Sequence, residues 1–274
     1  MNKILLLMVK PTGFFKANAF IRRMRRAGIY VWYQKYYEVE LLNDISKDTL
    51  VIVDSPEAYE GLKQQGIEAL IYIREEADMD SFPGADYFVI DAENTEPEYF
   101  DKVYRRIHNI PWEILETERL RIRETVESDV DEFVKIYSNP EVTRYTENLY
   151  GNPEEEREYV TMYRKTVYAT GGYGIWTVIR KSDGRIIGRA GLTARAGFDN
   201  YEIGFVFGAD YWHQGYAVEA VSAVMDFARD NGLGVINALV MPENVQSIKL
   251  LSKLGFCFDS KLLLNNCEYN MYKC

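Results

Sequence analysis

Residues 201–229 limit the possible folds of this chain more than any other stretch. They read YEIGFVFGADYWHQGYAVEAVSAVMDFAR, and their pattern predicts a strand, a turn-rich loop and a helix in direct succession. Alternation over residues 201–207 is typical of a strand, and from Gly215 onward apolar residues recur at helical spacing. The loop therefore lies at a helix N-terminus, where unpaired N–H groups and the helix dipole favour an anion. A glycine before a helix is more often a feature of a plain turn, so a diphosphate site here is a hypothesis.

The first 112 residues alternate buried strands with helices. Apolar runs typical of strands covered on both faces occupy residues 3–9, 50–54, 67–73 and 87–90. Helices are expected over residues 14–27, 56–65 and 96–108. This order predicts a small α/β domain with a parallel sheet over residues 1–112.

After a linker at residues 113–118, the pattern changes. A half-exposed strand is expected at residues 119–124, and Ser128 is expected to cap a helix that runs through Tyr137. Further elements are a helix at residues 153–169, a hairpin of residues 174–179 and 185–193, a strand at 235–240, a helix at 245–254 and a terminal hairpin of 256–260 and 267–273. The sequence thus predicts a second domain over residues 119–274.

Charge and cysteine content exclude several classes of function. The formal net charge of -10 disfavours a protein that coats nucleic acid, because such binding relies on Lys and Arg neutralising phosphates. The three cysteines, Cys257, Cys267 and Cys274, have no metal-ligand spacing, so we expect no metal site and reduced thiols in the cytoplasm. The apolar run Ile4–Val9 is too short to be a membrane span.

The N-terminal domain carries a faint resemblance of its own. The stretch VIVDSPEAYEGLKQQGIEALIYI resembles the last part of haloacid-dehalogenase-like hydrolases, which implies a metal-coordinating role for Asp54. That family's nucleophile needs Asp-x-Asp after the first strand, whereas Val9-Lys10-Pro11-Thr12 follows here. We therefore expect Asp54 to cap the helix that begins at Pro56. The domain would then be a catalytically silent scaffold, a partner surface or a homo-oligomerisation element.

Four stretches in residues 115–274 resemble the GNAT superfamily of N-acetyltransferases, in the family's order. They are residues 116–146, IIGRAGLTAR, YWHQGYAVEA and NVQSIKLLSKLGF. The second and fourth match the family's third strand and its Asn-x-x-Ser/Ala helix, and the branch is similar to ribosomal-protein N-terminal acetyltransferases. In the family's cofactor loop, Arg/Gln-x-x-Gly-x-Gly/Ala, Gly215 and Ala217 match and Trp212 departs. The resemblance implies an α/β fold with a mixed, mostly antiparallel sheet flanked by helices.

It also implies an acetyl-coenzyme A site and an amine acceptor. The expected cofactor-binding residues are the loop residues, the main chain of the strand before it, and the first residue of the later helix: His213, Gln214, Gly215, Tyr216, Ala217, Phe205, Val206, Phe207 and Asn244. If strand 201–207 splays from strand 235–240, its free main-chain groups can pair with the pantetheine amides. Asn244 is equally expected to act only as a helix cap.

Two residues match the family's catalytic positions. Glu202 matches the acid often taken as the base that deprotonates the amine, and Gly204 on the same face would leave room beside it. Ser247 matches the serine proposed to protonate the leaving thiolate, and Leu251 stands where many members have a tyrosine acid, so Ser247 or a water remains. The sequence therefore predicts an N-acetyltransferase acting in a ternary complex, with a non-catalytic acyl-coenzyme A-binding regulatory module as the alternative.

Overall fold

A computed structural model describes residues 1–8, 17–35 and 48–274, and these form two compact units, Met1–Trp112 and Glu113–Cys274. The elements of the N-terminal unit are β1 (Lys3–Met8), α1 (Ala17–Arg26), β2 (Tyr30–Lys35), β3 (Thr49–Val53), α2 (Pro56–Gln64), β4 (Leu70–Tyr72), a 3₁₀ segment (Glu76–Ser81), β5 (Phe88–Val89) and α3 (Pro97–Ile107). The first residues of the predicted helix 14–27 and the segment Val9-Lys10-Pro11-Thr12 lie outside the described residues.

The N-terminal unit is built on a parallel sheet, as the sequence predicts. Its strand order is β2-β1-β3-β4-β5, and every described pair in it is parallel. Strand β2 was not predicted from the sequence. It lies at the sheet edge with Tyr30 and Tyr33 exposed, so it lacks the continuous apolar run by which the buried strands were recognised.

The start of α2 corrects the role expected for Asp54. The N-cap is Ser55, whose Oγ accepts a hydrogen bond from the Ala58 N–H at 3.1 Å, and Pro56 takes the first helical position. Capping by Asp54 is therefore wrong by one residue.

The C-terminal unit is a mixed α/β structure around one eight-stranded sheet. Its elements are β6 (Glu113–Glu116), β7 (Leu120–Arg123), a 3₁₀ turn (Glu127–Asp129), α4 (Val130–Tyr137), α5 (Pro140–Thr143), α6 (Pro153–Tyr163), a π-helical turn (Arg164–Tyr168), α7 (Ala169–Gly171), β8 (Ile175–Arg180), β9 (Ile186–Thr193), β10 (Glu202–Phe207), a 3₁₀ turn (Ala209–Tyr211), α8 (Tyr216–Asp230), β11 (Asn237–Val240), α9 (Val245–Lys253), β12 (Cys257–Leu264) and β13 (Cys267–Lys273). The order is β12-β13-β11-β10-β9-β8-β7-β6. Its pairs are antiparallel except β10–β11, which confirms the predicted fold class.

Two local predictions in this unit are wrong. The expected linker 113–118 contains strand β6, which pairs with β7 because Ile114 and Leu115 pack against the core of the sheet. Ser128 does not cap the next helix; Asp129 ends the preceding 3₁₀ turn, and its carboxylate accepts from the Val126 N–H at 3.1 Å.

A buried ion pair holds this corner of the sheet. Arg123 on β7 donates two hydrogen bonds of 2.7 Å to the Asp129 carboxylate. Thr177 on β8 donates a third, at 2.8 Å, and Asp129 is only 2% exposed. Since every oxygen of this carboxylate is satisfied, the pair ties β7 and β8 to the start of α4.

Helix α8 covers one face of the sheet. Its buried residues Val221, Val224 and Ala228 belong to one apolar cluster with Ile203 and Phe207 of β10. This matches the helical and strand periodicities read from residues 201–229, and it fixes the loop between β10 and α8 at one end of the sheet.

Candidate functional site

Strands β10 and β11 separate almost as soon as they meet. They are in register only at Glu202 and Asn237, and the Asn237 N–H donates to the Tyr201 carbonyl at 2.8 Å. The rest of β10 continues along β9 alone, from Ile203 opposite Leu192 to Phe207 opposite Gly188. A gap therefore opens in the sheet toward the carboxyl end of β10, which is the splay that the sequence hypothesis required.

Alternate residues of β10 face this gap. The Gly208 N–H donates to the Ile187 carbonyl at 3.0 Å, which fixes the phase of the antiparallel ladder with β9. Val206, opposite Arg189, therefore directs its main chain at β9, whereas Phe205 and Phe207 direct theirs toward the gap. The main-chain groups of Val206 are therefore not the ones that face the gap, and its role in cofactor binding stays a prediction. The Phe207 carbonyl is already occupied, because it accepts a 2.8 Å hydrogen bond from the Trp212 indole N–H.

The loop between β10 and α8 presents a row of main-chain donors. His213 has φ 60° and Gly215 has φ 84°, so left-handed residues flank Gln214, a geometry typical of anion-binding turns. Within the described part of the chain, the N–H groups of residues 213–218 donate no hydrogen bond to the protein. His213, Gln214 and Gly215 are exposed, and Tyr216 and Ala217 are half-buried. The loop can therefore satisfy a diphosphate with main-chain hydrogen bonds.

An arginine from the turn between β6 and β7 braces this loop. Arg119 Nη1 donates to the Gln214 carbonyl at 3.0 Å, and Arg119 Nε donates to Glu219 of the first turn of α8 at 2.6 Å. The guanidinium carbon lies 4.5 Å from the centroid of the Tyr216 ring. We name this group, Arg119 with Gln214, Tyr216 and Glu219, the loop brace.

Hydrogen bonds keep the acidic member of the loop brace ionised. Burial raises the pKa of Glu219, but donors from Thr117 and Arg119 outweigh it and the pKa is lowered overall. Thr117 Oγ1 donates at 2.5 Å and the Arg119 N–H at 2.9 Å. Because Arg119 compensates this carboxylate, the helix N-terminus keeps its attraction for an anion.

Glu202, the predicted base, is held in an ion pair. Arg195 Nε donates to Glu202 Oε2 at 2.5 Å, and Arg195 Nη2 donates to Oε1 at 3.3 Å. The Glu202 side chain is 13% exposed and that of Arg195 is 42% exposed. The room expected beside Gly204 is absent, because a Cβ there would lie 2.9 Å from Ile175 Cδ1.

The two predicted residues of α9 differ in what they contact. Asn244 is the N-cap, with Oδ1 accepting from the Ser247 N–H at 3.2 Å, and Ser247 is half-buried one turn into the helix. Leu251, at the position where a tyrosine acid is common, is completely buried in the core. A proton donor for a thiolate must therefore come from somewhere other than position 251.

The described residues contain neither a metal-binding cluster nor a membrane-spanning helix. No group of three or more His, Cys, Asp or Glu side chains is placed so as to hold a metal ion. Nor does any described helix combine the length and the apolar character needed to cross a membrane.

Sequence reasoning missed the loop brace and the Arg195 contact. Arg119 and Glu219 are 100 positions apart, so no local pattern links them. Arg195 and Glu202 are seven apart, on either side of the turn between β9 and β10, and only the shape of that turn brings them together. An acid in the first turn of α8 was the one signal that pointed to a nearby cation.

Comparison with known proteins bears on the C-terminal unit. Residues 119–257 match the family model described as an acetyltransferase (GNAT) domain. The chain is 33% identical over 152 residues to an uncharacterized N-acetyltransferase, p20, of Bacillus licheniformis, covering 53% of this chain and 82% of that protein. It is also 33% identical over 149 residues to the uncharacterized N-acetyltransferase YoaA of Bacillus subtilis, covering 52% and 82%.

A solved structure shares the fold. It is RimL, a ribosomal L7/L12 alpha-N-protein acetyltransferase in complex with coenzyme A, with a TM-score of 0.51 at 16% identity. The match covers 59% of this chain and 97% of that one. At this identity the likeness concerns the fold alone.

Proposed function

Since the chain belongs to the GNAT acetyltransferase family, we propose that it transfers the acetyl group of acetyl-coenzyme A to a primary amine by direct attack in a ternary complex. Membership makes it an acetyl-coenzyme A-dependent acyltransferase. The acceptor class, a protein N-terminus or a small-molecule amine, and the residue roles are the parts that we propose. The observation that carries the cofactor-binding roles is the gap between β10 and β11, which leads to the open donors of residues 213–217.

The loop and the gap suit two different parts of acetyl-coenzyme A. The diphosphate needs several hydrogen-bond donors, which residues 213–217 offer. It also needs a site without an uncompensated acid nearby, and Arg119 compensates the charge of Glu219. The pantetheine arm carries amides that can pair with a strand edge, and the main chain of Phe205 offers such an edge. Asn244 caps α9, and its further role toward the cofactor stays a prediction.

Glu202 is the proposed base. An α-ammonium has a pKa near 8 and a lysine ammonium near 10, so the acceptor must lose a proton before it attacks. One ammonium proton passes to Glu202, the nitrogen lone pair bonds to the thioester carbonyl carbon, and the carbon–sulfur bond breaks. A second proton of that nitrogen ends on the thiolate through Ser247 or a water. The products are an N-acetylated amine and free coenzyme A.

The test is thiol release from acetyl-coenzyme A across a panel of amines, with Glu202→Gln as the key variant. We expect Glu202→Gln to lower kcat by about 10²- to 10⁴-fold, because that is the usual contribution of a general base, while the Kd for coenzyme A stays unchanged. Glu132→Gln is the matched control, since Glu132 is a half-exposed glutamate that is likewise paired with a cation, Lys135. Equal turnover by the Glu202→Gln and Glu132→Gln variants would remove Glu202 from the reaction. A wild-type protein that binds coenzyme A and acetylates no amine would support the regulatory module instead.

The N-terminal unit enters this proposal as a scaffold or as a contact between copies of the chain. The edge strand β2, with Tyr30 58% exposed and Tyr33 41% exposed, is the part of its sheet best suited to such a contact. The mass of the full chain in solution distinguishes the two roles.

A further inference from the structure

The proposed base, Glu202, is already hydrogen-bonded to Arg195. Both carboxylate oxygens of Glu202 accept from the Arg195 guanidinium, at 2.5 and 3.3 Å. Each carboxylate oxygen can accept more than one hydrogen bond, so an incoming ammonium competes with the guanidinium for these oxygens. Arg195 can withdraw more readily than Glu202, because its side chain is 42% exposed and it follows the end of β9.

Arg195 also lines a cavity. Its volume is about 450 Å³, within the usual range for small-molecule sites. Residues 193–196 form one wall, and Phe198 with Leu264 and Asn265 of the β12–β13 turn form the rest. Thr193, which lines the cavity, is directly opposite Glu202 in the β9–β10 ladder. The cavity therefore lies next to the proposed base, and Arg195 belongs to both.

The acidic groups around Arg195 favour the charged form of its guanidinium. Its pKa is raised, first by the hydrogen bond to Glu202, which outweighs burial, and then by the charges of Glu202, Glu147 and Tyr269. An acceptor carrying only an ammonium would take Glu202 and leave Arg195 without its bidentate partner. An acceptor carrying an ammonium and a carboxylate would replace one ion pair with two.

We propose that the Arg195–Glu202 pair recognises a zwitterionic acceptor, such as a free α-amino acid. The ammonium binds Glu202, the carboxylate binds Arg195, and the remaining side chain enters the cavity beside Phe198 and Leu264. Arg195 is thus a specificity-determining residue, because its guanidinium gives up Glu202 more readily when a carboxylate is present to receive it. This inference rests on the proposed acetyl transfer and names the substrate class for the same site.

The experiment compares each of the twenty L-amino acids with its own α-carboxamide as acceptor in the thiol-release assay. The two members of a pair share the amine and the side chain and differ in the carboxylate. For the best pair we expect kcat/KM at least ~10-fold higher for the acid, the factor that corresponds to about 1.4 kcal/mol. An amide that equals or exceeds its acid in every acetylated pair overturns the proposal.

Variants at position 195 assign the preference to the guanidinium. Arg195→Gln should lower kcat/KM for the acid by at least ~10-fold and leave the carboxamide unchanged or improved, because the base is no longer covered. Arg195→Lys should restore part of the preference, since it keeps the charge and loses the bidentate geometry. Arg229→Gln is the control; Arg229 is exposed on α8, paired with Asp226, and its loss should change neither substrate. An equal loss for acid and carboxamide in Arg195→Gln contradicts the inference.

A binding measurement separates this inference from the proposed transfer. If no amine is acetylated, the transfer proposal fails. The substrate class is then judged by calorimetry of each acid and carboxamide with the protein loaded with coenzyme A. Tighter binding of the acid that is lost in Arg195→Gln supports the inference, and equal or undetectable binding of both overturns it.

Discussion

Replacement of Arg119 by Gln is the sharpest test of the loop brace. The substitution removes the hydrogen bond to the Gln214 carbonyl, the ion pair with Glu219 and the contact with the Tyr216 ring. It also leaves Glu219 uncompensated in the first turn of α8, next to the proposed diphosphate position. Since all these contacts order or neutralise the loop, we expect the loss to appear in affinity for coenzyme A.

The magnitude follows from how exposed the contacts are. Arg119 is 42% exposed, so its ion pair is worth about 0.5–1 kcal/mol after solvent screening. The hydrogen bond to the Gln214 carbonyl adds about 1 kcal/mol. The sum of ~1.5–2 kcal/mol corresponds to a Kd for coenzyme A that is about 10- to 30-fold higher.

Calorimetric titration with coenzyme A measures this change. The double variant Arg119→Gln/Glu219→Gln should bind more tightly than Arg119→Gln alone, because the uncompensated carboxylate is gone. Arg229→Gln serves again as the control, because Arg229 is an exposed arginine on α8, the helix that carries Glu219. A Kd for Arg119→Gln within twofold of the wild-type value would refute the reasoning, since the loop would then be ordered without Arg119.

Two stability predictions follow from buried and capping contacts. Asp129→Asn should lower the free energy of unfolding by about 3 kcal/mol in urea titrations, because it leaves the buried Arg123 guanidinium without its carboxylate. The control Asp131→Asn, on the exposed side of α4, should change that free energy by less than ~1 kcal/mol. Similar urea midpoints for the two variants would argue against the buried pair. Asn244→Ala should lower the free energy of unfolding by about 1 kcal/mol through loss of the cap on α9, whereas Asn244→Ser should keep most of the cap's contribution. Equal unfolding curves for the wild type and Asn244→Ala would show that the cap is dispensable.

The sequence predicted the helices and strands whose apolar residues repeat with a regular local period. Residues 201–229 gave the strand, loop and helix because apolar side chains repeat every two and then every three to four positions there. The family resemblance then supplied the mixed, mostly antiparallel character of the sheet, which periodicity alone does not contain. Strand β2 was missed because Tyr30 and Tyr33 face outward, and β6 was missed because four residues with acids at both ends resemble a linker.

The site was less predictable than the fold, for a physical reason. Main-chain features such as the positive φ at Gly215 follow from residue type at one position. Contacts between side chains depend on which strand ends meet, so Arg119 with Gln214 and Arg195 with Glu202 required the assembled sheet. The Phe207 carbonyl is a similar case, because its bond from Trp212 depends on how the loop turns back on the strand.

The brief pairing of β10 with β11 makes this junction the seam of the eight-stranded sheet. Strands β6 to β10 form one panel, and β11 to β13 form another, and the ladder between them is in register only at Glu202 and Asn237. The β12–β13 turn, with Leu264 and Asn265, belongs to the second panel, whereas Arg195 and Glu202 belong to the first. In the acceptor site that we propose, a small rotation of one panel about this seam would therefore change the width of the cavity, whereas the ion pair lies within one panel and would stay intact.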